Sequence, residues 1–130
     1  MSKTSCVFVV DEDPSARRGL TRLLRKAGYD VRDIASANEF LDVLGSEVPG
    51  CVVLDAGMLG LLGEEHLVKL TERYAGLPIV VVTADDNTEI RRKAEEIKAV
   101  GFFRKPIDGT ALLDAIDWAL RSSSTGGKHD

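Results

Sequence analysis

The sequence predicts an α/β domain, a doubly wound five-stranded parallel sheet of order 2-1-3-4-5 with helices on both faces. Three observations carry that expectation. Short β-rich runs at residues 6–10, 31–34, 51–54, 79–82 and 101–104 alternate with segments of helical period. The first, third and fourth runs are apolar throughout, as strands are when both sheet faces are covered. Right-handed crossovers between βα units then favour one open sheet, with its ligand crevice beyond the carboxyl ends of strands one and three.

Each element can be justified in order. Strand one runs into Asp11-Glu12-Asp13-Pro14, where an aspartate before a first-turn proline reads as a helix N-cap, so Asp13 is assigned to capping rather than to chemistry. Helix one carries Ala16, Leu20, Leu23, Leu24 and Ala27 on one face. Ser36 and Glu39 have capping-box spacing at the start of helix two. Strand three ends at Asp55. An apolar loop with Met58, Leu59, Leu61 and Leu62 is expected next, folded down over helix three, whose stripe is Leu67, Leu70 and Tyr74. Strand four ends at Thr83-Ala84, and Asp86 and Glu89 again have capping-box spacing before the helix-four stripe of Ile90, Ala94 and Ile97. Alternation in strand five puts Phe102 and Arg104 on one side and Phe103 on the other, which makes Phe103 the core candidate. Helix five carries Leu112, Leu113, Ile116 and Leu120, with Trp118 pointing away as an exposed contact for a partner or a second copy. Residues 1–121 form the predicted domain, and residues 122–130 have the Ser/Gly-rich composition of a flexible tail or linker stub.

Composition narrows the function classes. With 130 residues, 44% hydrophobic and 29% charged, a single globular domain is expected, without room for a separate output domain. No apolar run is long enough to span a bilayer and the first residues lack a signal-peptide pattern, so a cytoplasmic location without membrane contact is expected. A net charge of −4 argues against direct nucleic-acid binding, which needs a basic face. Cys6 and Cys51 lie in strand runs and read as small core residues. His66 and His129 have no second ligand nearby, so zinc is not expected.

The chemistry gathers at the strand ends. Asp11 and Glu12 follow strand one, Asp55 strand three, Thr83 and Ala84 strand four, and Lys105 strand five. Carboxylates in one crevice repel, by about 4 kcal/mol for two unit charges about 4 Å apart at an effective dielectric of about 20. Mg²⁺ together with Lys105 would balance Asp11, Glu12 and Asp55, since this ion takes hard oxygen ligands and keeps waters. The set fits phosphoryl transfer, which needs a positioned nucleophile, here Asp55, and fixed donors for the equatorial oxygens. Lys105 would serve one oxygen, the Thr83 hydroxyl and the Ala84 amide another, and the metal the third.

The runs Val9-Val-Asp-Glu-Asp-Pro14, Val52-Val-Leu-Asp55, Met58, Gly63, Val81-Val-Thr-Ala84 and Phe102-Phe-Arg-Lys-Pro106 resemble the receiver domains of two-component response regulators, over about residues 5–121. Ala35-Ser-Ala-Asn-Glu-Phe-Leu41 and Pro49-Gly-Cys-Val-Val-Leu-Asp55 look most like the nitrogen-fixation-regulator subgroup. The resemblance implies a flavodoxin-like fold and a phosphoacceptor, Asp55, supplied by a histidine kinase or histidine phosphotransfer protein. It implies Mg²⁺ held by Asp11, Glu12, Asp55 and the Gly57 carbonyl, with Thr83 as switch hydroxyl, Lys105 as phosphate-pairing lysine and Phe102 as aromatic switch. It also implies a cis Lys105–Pro106 bond. The face of helix four, strand five and helix five would then signal to an output domain or partner, and could carry a homodimer. Two departures stand out: Leu59 replaces the usual proline, which leaves a loop expected to be more mobile, and Ile107 replaces the usual phenylalanine. Two other readings remain. One is a pseudo-receiver that only binds partners. The other is a haloacid-dehalogenase-type phosphatase with Asp11 as nucleophile and Asp13 as acid. Pro14, Asp55 and the short chain favour the receiver.

Overall fold

The computed structural model describes residues 6–74 and 76–127. The side chains of Glu64, Leu67, Val68, Thr71 and residues 123–127 are not covered, so the readings made of Leu67 and His129 lie outside the described residues. The elements are β1 (Cys6–Val10), α1 (Pro14–Lys26), β2 (Asp30–Ile34), α2 (Ala37–Leu44), β3 (Cys51–Asp55), α3 (Ala56–Arg73), β4 (Ile79–Thr83), α4 (Thr88–Glu96), β5 (Gly101–Arg104) and α5 (Gly109–Gly127). The strands form one sheet in the order β2-β1-β3-β4-β5, every neighbouring pair parallel. Among the described residues no helix is long and apolar enough to cross a membrane.

Alternation along the strands divides the core in two. Phe8, Val10, Val52, Leu54, Ile79 and Val81 face α2, α3 and α4 through Phe40, Leu44, Met58, Leu59, Leu70 and Ala94. Val7, Val9, Cys51, Val53, Val80 and Val82 face α1 and α5 through Leu20, Leu24, Leu112 and Ile116. β1, β3 and β4 are thus buried on both sides, as their unbroken apolar sequences predict. Both cysteines are free thiols, and burial pushes Cys51 up to about 12, so it stays protonated at neutral pH and acts as a core residue. Phe102 and Phe103 do lie on opposite faces, but each is only half-buried; β5 is an edge strand and neither face of it is fully covered.

Helix starts follow the sequence with one shift. Asp13 Oδ1 accepts from the Ser15 amide at 3.2 Å and Ser36 Oγ from the Glu39 amide at 3.1 Å, as capping requires. For α4 the cap is Asn87, whose Oδ1 accepts from Ile90 N at 2.9 Å. Asp86, the expected cap, is instead taken by Arg91.

The segment after Asp55 differs more. It is helix rather than loop: α3 begins at Ala56, with Met58 and Leu59 fully buried and Leu62 nearly so. Leu59 is the fourth helical residue, whose amide bonds back to the N-cap carbonyl in an α-helix; a proline would lack that donor. The replacement therefore permits the helix to start directly at the strand end. Gly63, at φ 78 and ψ 159, then breaks the helical path and re-aims the chain, a conformation that favours glycine. Of the loop leucines only Leu61 is exposed. At the other end, α5 continues through residues 122–127, beyond the domain end at residue 121 expected from composition.

Among the described residues, one buried side-chain polar atom has no hydrogen-bond partner, the Thr21 hydroxyl on α1. Thr21→Val exchanges it for a methyl of similar size and is expected to stabilise the fold by about 1 kcal/mol. The check is a urea melt, in which the midpoint rises with the slope unchanged; an equal or lower midpoint would show that the hydroxyl contributes.

Candidate functional site

The parallel register brings the strand ends together. Val10 pairs with Leu54, Asp55 with Val82 and Thr83 with Arg104, so Asp11, Asp55, Thr83 and Lys105 reach the same edge of the sheet. Lys105 is joined to Pro106 by a cis peptide bond. Its Nζ donates to Asp11 Oδ2 at 3.1 Å and to Asp55 Oδ1 at 3.0 Å. The other oxygens are also held. Asp11 Oδ1 accepts from the Asp13 amide at 3.0 Å, and Asp55 Oδ2 from the Gly57 amide at 2.9 Å.

Two carboxylates against one ammonium leave the crevice with a formal charge of −1. Burial pushes the Lys105 ammonium down, but hydrogen bonds to Asp55 and Asp11 and their charges outweigh that, and its pKa lies above the ordinary lysine value. The lysine is a fixed positive charge throughout the neutral range. Asp11 is 2% exposed, whereas Asp55 is 19% exposed and the more open of the two. That burial, with Asp13 occupied in capping, disfavours the alternative in which Asp11 attacks a substrate.

The oxygens around Lys105 fit a divalent cation. Asp11 Oδ2 and Asp55 Oδ1 already bracket one positive charge, and Mg²⁺ needs only one or two carboxylates alongside waters and phosphoryl oxygens. The full expected ligand set is not assembled, however. The Glu12 residue is exposed, and among the described residues no three acidic, histidine or cysteine side chains cluster as for a metal. Gly57 lies in the first turn of α3, where a helical carbonyl runs along the axis toward the C-terminus; it offers the crevice its amide instead. A Cβ at residue 57 would stand 2.9 Å from Asp55 Oδ2, so a side chain there would require the Asp55 carboxylate to shift.

Thr83 is buried at the expected place, but its hydroxyl faces the β4–α4 connection, donating to Asp85 O at 2.8 Å and accepting from Asp85 N at 3.0 Å. Phe102 is half-buried under the Arg91 guanidinium, 4.7 Å from the ring centroid. Arg91 also grips Asp86 with Nε and Nη2 at 2.7 and 2.8 Å, and that hydrogen bonding holds the Asp86 carboxyl below the usual carboxylate range. Arg91 thus ties the connection after Thr83 to the Phe102 ring. Sequence reasoning missed this residue, since one arginine on a charged helix carries no distinguishing signal. Arg17, whose Nη1 reaches the Asp11 carbonyl at 2.8 Å, escaped for the same reason. Trp118 is exposed on α5 as its spacing predicts, and the exposed His66 turns Nδ1 to the Leu62 carbonyl.

Many known proteins are similar to this chain in sequence and fold. Transcriptional regulatory protein TdiR of Thauera aromatica is 40% identical over 116 residues, 89% of this chain and 51% of that protein. Transcriptional regulatory protein FixJ of Bradyrhizobium diazoefficiens is 32% identical over 130 residues, 100% of this chain and 63% of FixJ. Among solved structures, response regulator StyR superposes with a TM-score of 0.81 at 39% identity, covering 98% of this chain and 64% of StyR. The chain therefore spans about half to two-thirds of the length of these relatives. The profile of the response regulator receiver domain matches residues 7–117. The likeness to nitrogen-fixation regulators read from residues 35–41 and 49–55 is borne out by FixJ, and with the family match over residues 7–117 the chain belongs to the receiver domains of two-component response regulators.

Proposed function

We propose that this receiver accepts a phosphoryl group on Asp55 from a cytoplasmic histidine kinase or histidine phosphotransfer protein, and that the charge gained at Asp55 changes the α4–β5–α5 face. The observation that carries the proposal is Lys105 Nζ bridging Asp11 and Asp55 at the strand ends. It supplies a nucleophile, a second carboxylate and a fixed cation in one crevice, which is what phosphoryl transfer asks of a protein.

A carboxylate oxygen of Asp55 attacks phosphorus; the oxygen–phosphorus bond forms as the donor's nitrogen–phosphorus bond breaks, and the electron pair leaves on the donor imidazole. Asp11 and Asp55 would hold Mg²⁺, joined by Glu12 and the Gly57 carbonyl if the first turn of α3 opens. Bound there, the ion neutralises charge on the carboxylates and the transferred group. Lys105 exchanges part of its carboxylate contact for a phosphoryl oxygen. Thr83 gives up Asp85 and turns its hydroxyl inward with the Ala84 amide. Phe102 then has room to move inward, leaving Arg91, and the surface of α4, β5 and α5 is remodelled. An output domain, a partner, or a second copy meeting Trp118 on that face would read the change. TdiR and FixJ are named as transcriptional regulators, which supports an output in gene control.

With acetyl phosphate and Mg²⁺, the chain is expected to gain one phosphoryl group by mass, and none with a chelator in excess. Decay is expected over hours, because Gly57 has no side chain to orient an attacking water. Failure to incorporate would favour a pseudo-receiver, and decay within seconds would remove the role given to Gly57.

A further inference from the structure

We infer that Arg17 is a positioning residue that holds the β1–α1 turn so that Asp11 presents its carboxylate to the cation. The inference rests on the phosphoryl-acceptor reading above. Arg17 is the fourth residue of α1, and its Nη1 donates to the Asp11 carbonyl at 2.8 Å and reaches the Glu12 carbonyl at 3.5 Å. Its Nε lies 3.7 Å from Asp33 Oδ2 just before the end of β2, and the side chain is 17% exposed. The Asp11 amide meanwhile donates to the Ile34 carbonyl at 3.1 Å. Asp11 is thus held at its amide by β2, at its carbonyl by α1 and at its carboxylate by Asp13 N and Lys105. Only the guanidinium, with several N–H donors in a fixed fork, can serve both neighbouring carbonyls and still face Asp33.

Arg17 contacts no carboxylate of the crevice; its bonds there go to backbone. This makes the sign of its effect diagnostic. If Arg17 acted through charge alone, removing a positive group beside the crevice would tighten cation binding. If it acts by positioning, removal frees the turn and loosens binding.

The test is Mn²⁺ affinity by electron paramagnetic resonance for the wild-type chain, Arg17→Ala and Arg17→Gln. Arg17→Ala is expected to bind about 10-fold more weakly, the order found when residues orienting metal ligands are removed. Arg17→Gln, neutral but with an amide donor, is expected to recover part of that loss and also provides a milder variant should the alanine form not fold. At saturating Mg²⁺ both variants should approach the wild-type rate with acetyl phosphate, so that the Mg²⁺ requirement moves and the maximal rate does not. Unchanged or tighter Mn²⁺ binding in both variants overturns the positioning role and leaves the acceptor reading intact. No Mn²⁺ binding by the wild-type chain overturns both.

Discussion

Asp55→Asn is expected to abolish phosphoryl incorporation while the domain stays folded. The substitution removes the nucleophile, and deletion of a nucleophile lowers rates by about a thousand-fold or more. The asparagine oxygen can still accept from the Gly57 amide, so the cap on α3 is kept; Asp55→Ala would lose it at a cost of about 1 kcal/mol. Lys105 retains Asp11 as its partner, and the repulsion between the two carboxylates disappears. A thermal midpoint equal to or above wild type is therefore expected alongside the lost chemistry. The measurement is intact mass after acetyl phosphate and Mg²⁺, with melting as the control. Incorporation at the wild-type level in the asparagine variant would move the acceptor to another residue.

Lys105→Ala is expected to damage both chemistry and stability. It leaves Asp11, at 2% exposure, and Asp55 facing each other without the ammonium between them. Breaking a fully buried pair costs roughly 3–5 kcal/mol, and partial solvent access to Lys105 and Asp55 reduces that to about 2 kcal/mol here. The sign with pH follows from the raised lysine pKa. The contribution is fully present below the ordinary lysine value of 10.5 and is lost as pH rises through the still higher folded value. The melting deficit of the variant should thus be steady from neutral pH to about pH 9 and shrink only above 10.5. Millimolar Mg²⁺ should restore part of it by neutralising the same carboxylates. A variant that melts like wild type at pH 7 would mean that water already screens the pair.

The fold was legible because its signals are local and repeated. Valine-rich runs bounded by turns marked β1, β3 and β4, and Asp13-Pro14 marked the start of α1 through cap chemistry that depends on adjacent residues alone. The site was legible for a related reason, since in a parallel sheet the residue after each strand must reach a common edge. What escaped depends on choices between alternatives of similar local energy. Asp86 and Asn87 are both good caps, and the choice went to Asn87 because Arg91 offers Asp86 a bidentate partner. The start of α3 turned on the Leu59 amide, whose value lies in a bond that periodicity does not display. The Thr83 hydroxyl could face the crevice or Asp85, and the side chain alone does not distinguish them. Arg17 and Arg91 are arginines on helices, distinguished only by what lies across from them.

All strand-end groups of the site lie at the carboxyl edge of the sheet, while Cys6 opens β1 at the opposite edge and α5, returning antiparallel to β5, ends there too. The connection between α2 and β3, with Val48 74% exposed, sits on that same remote side. The order in which the chain visits its elements is consequently separable from the crevice. A circular permutant opened beside Val48, with a flexible segment joining the old ends, should keep Asp11, Asp55 and Lys105 in register, so that new sequences can be spliced in at the far edge without touching the phosphoryl site.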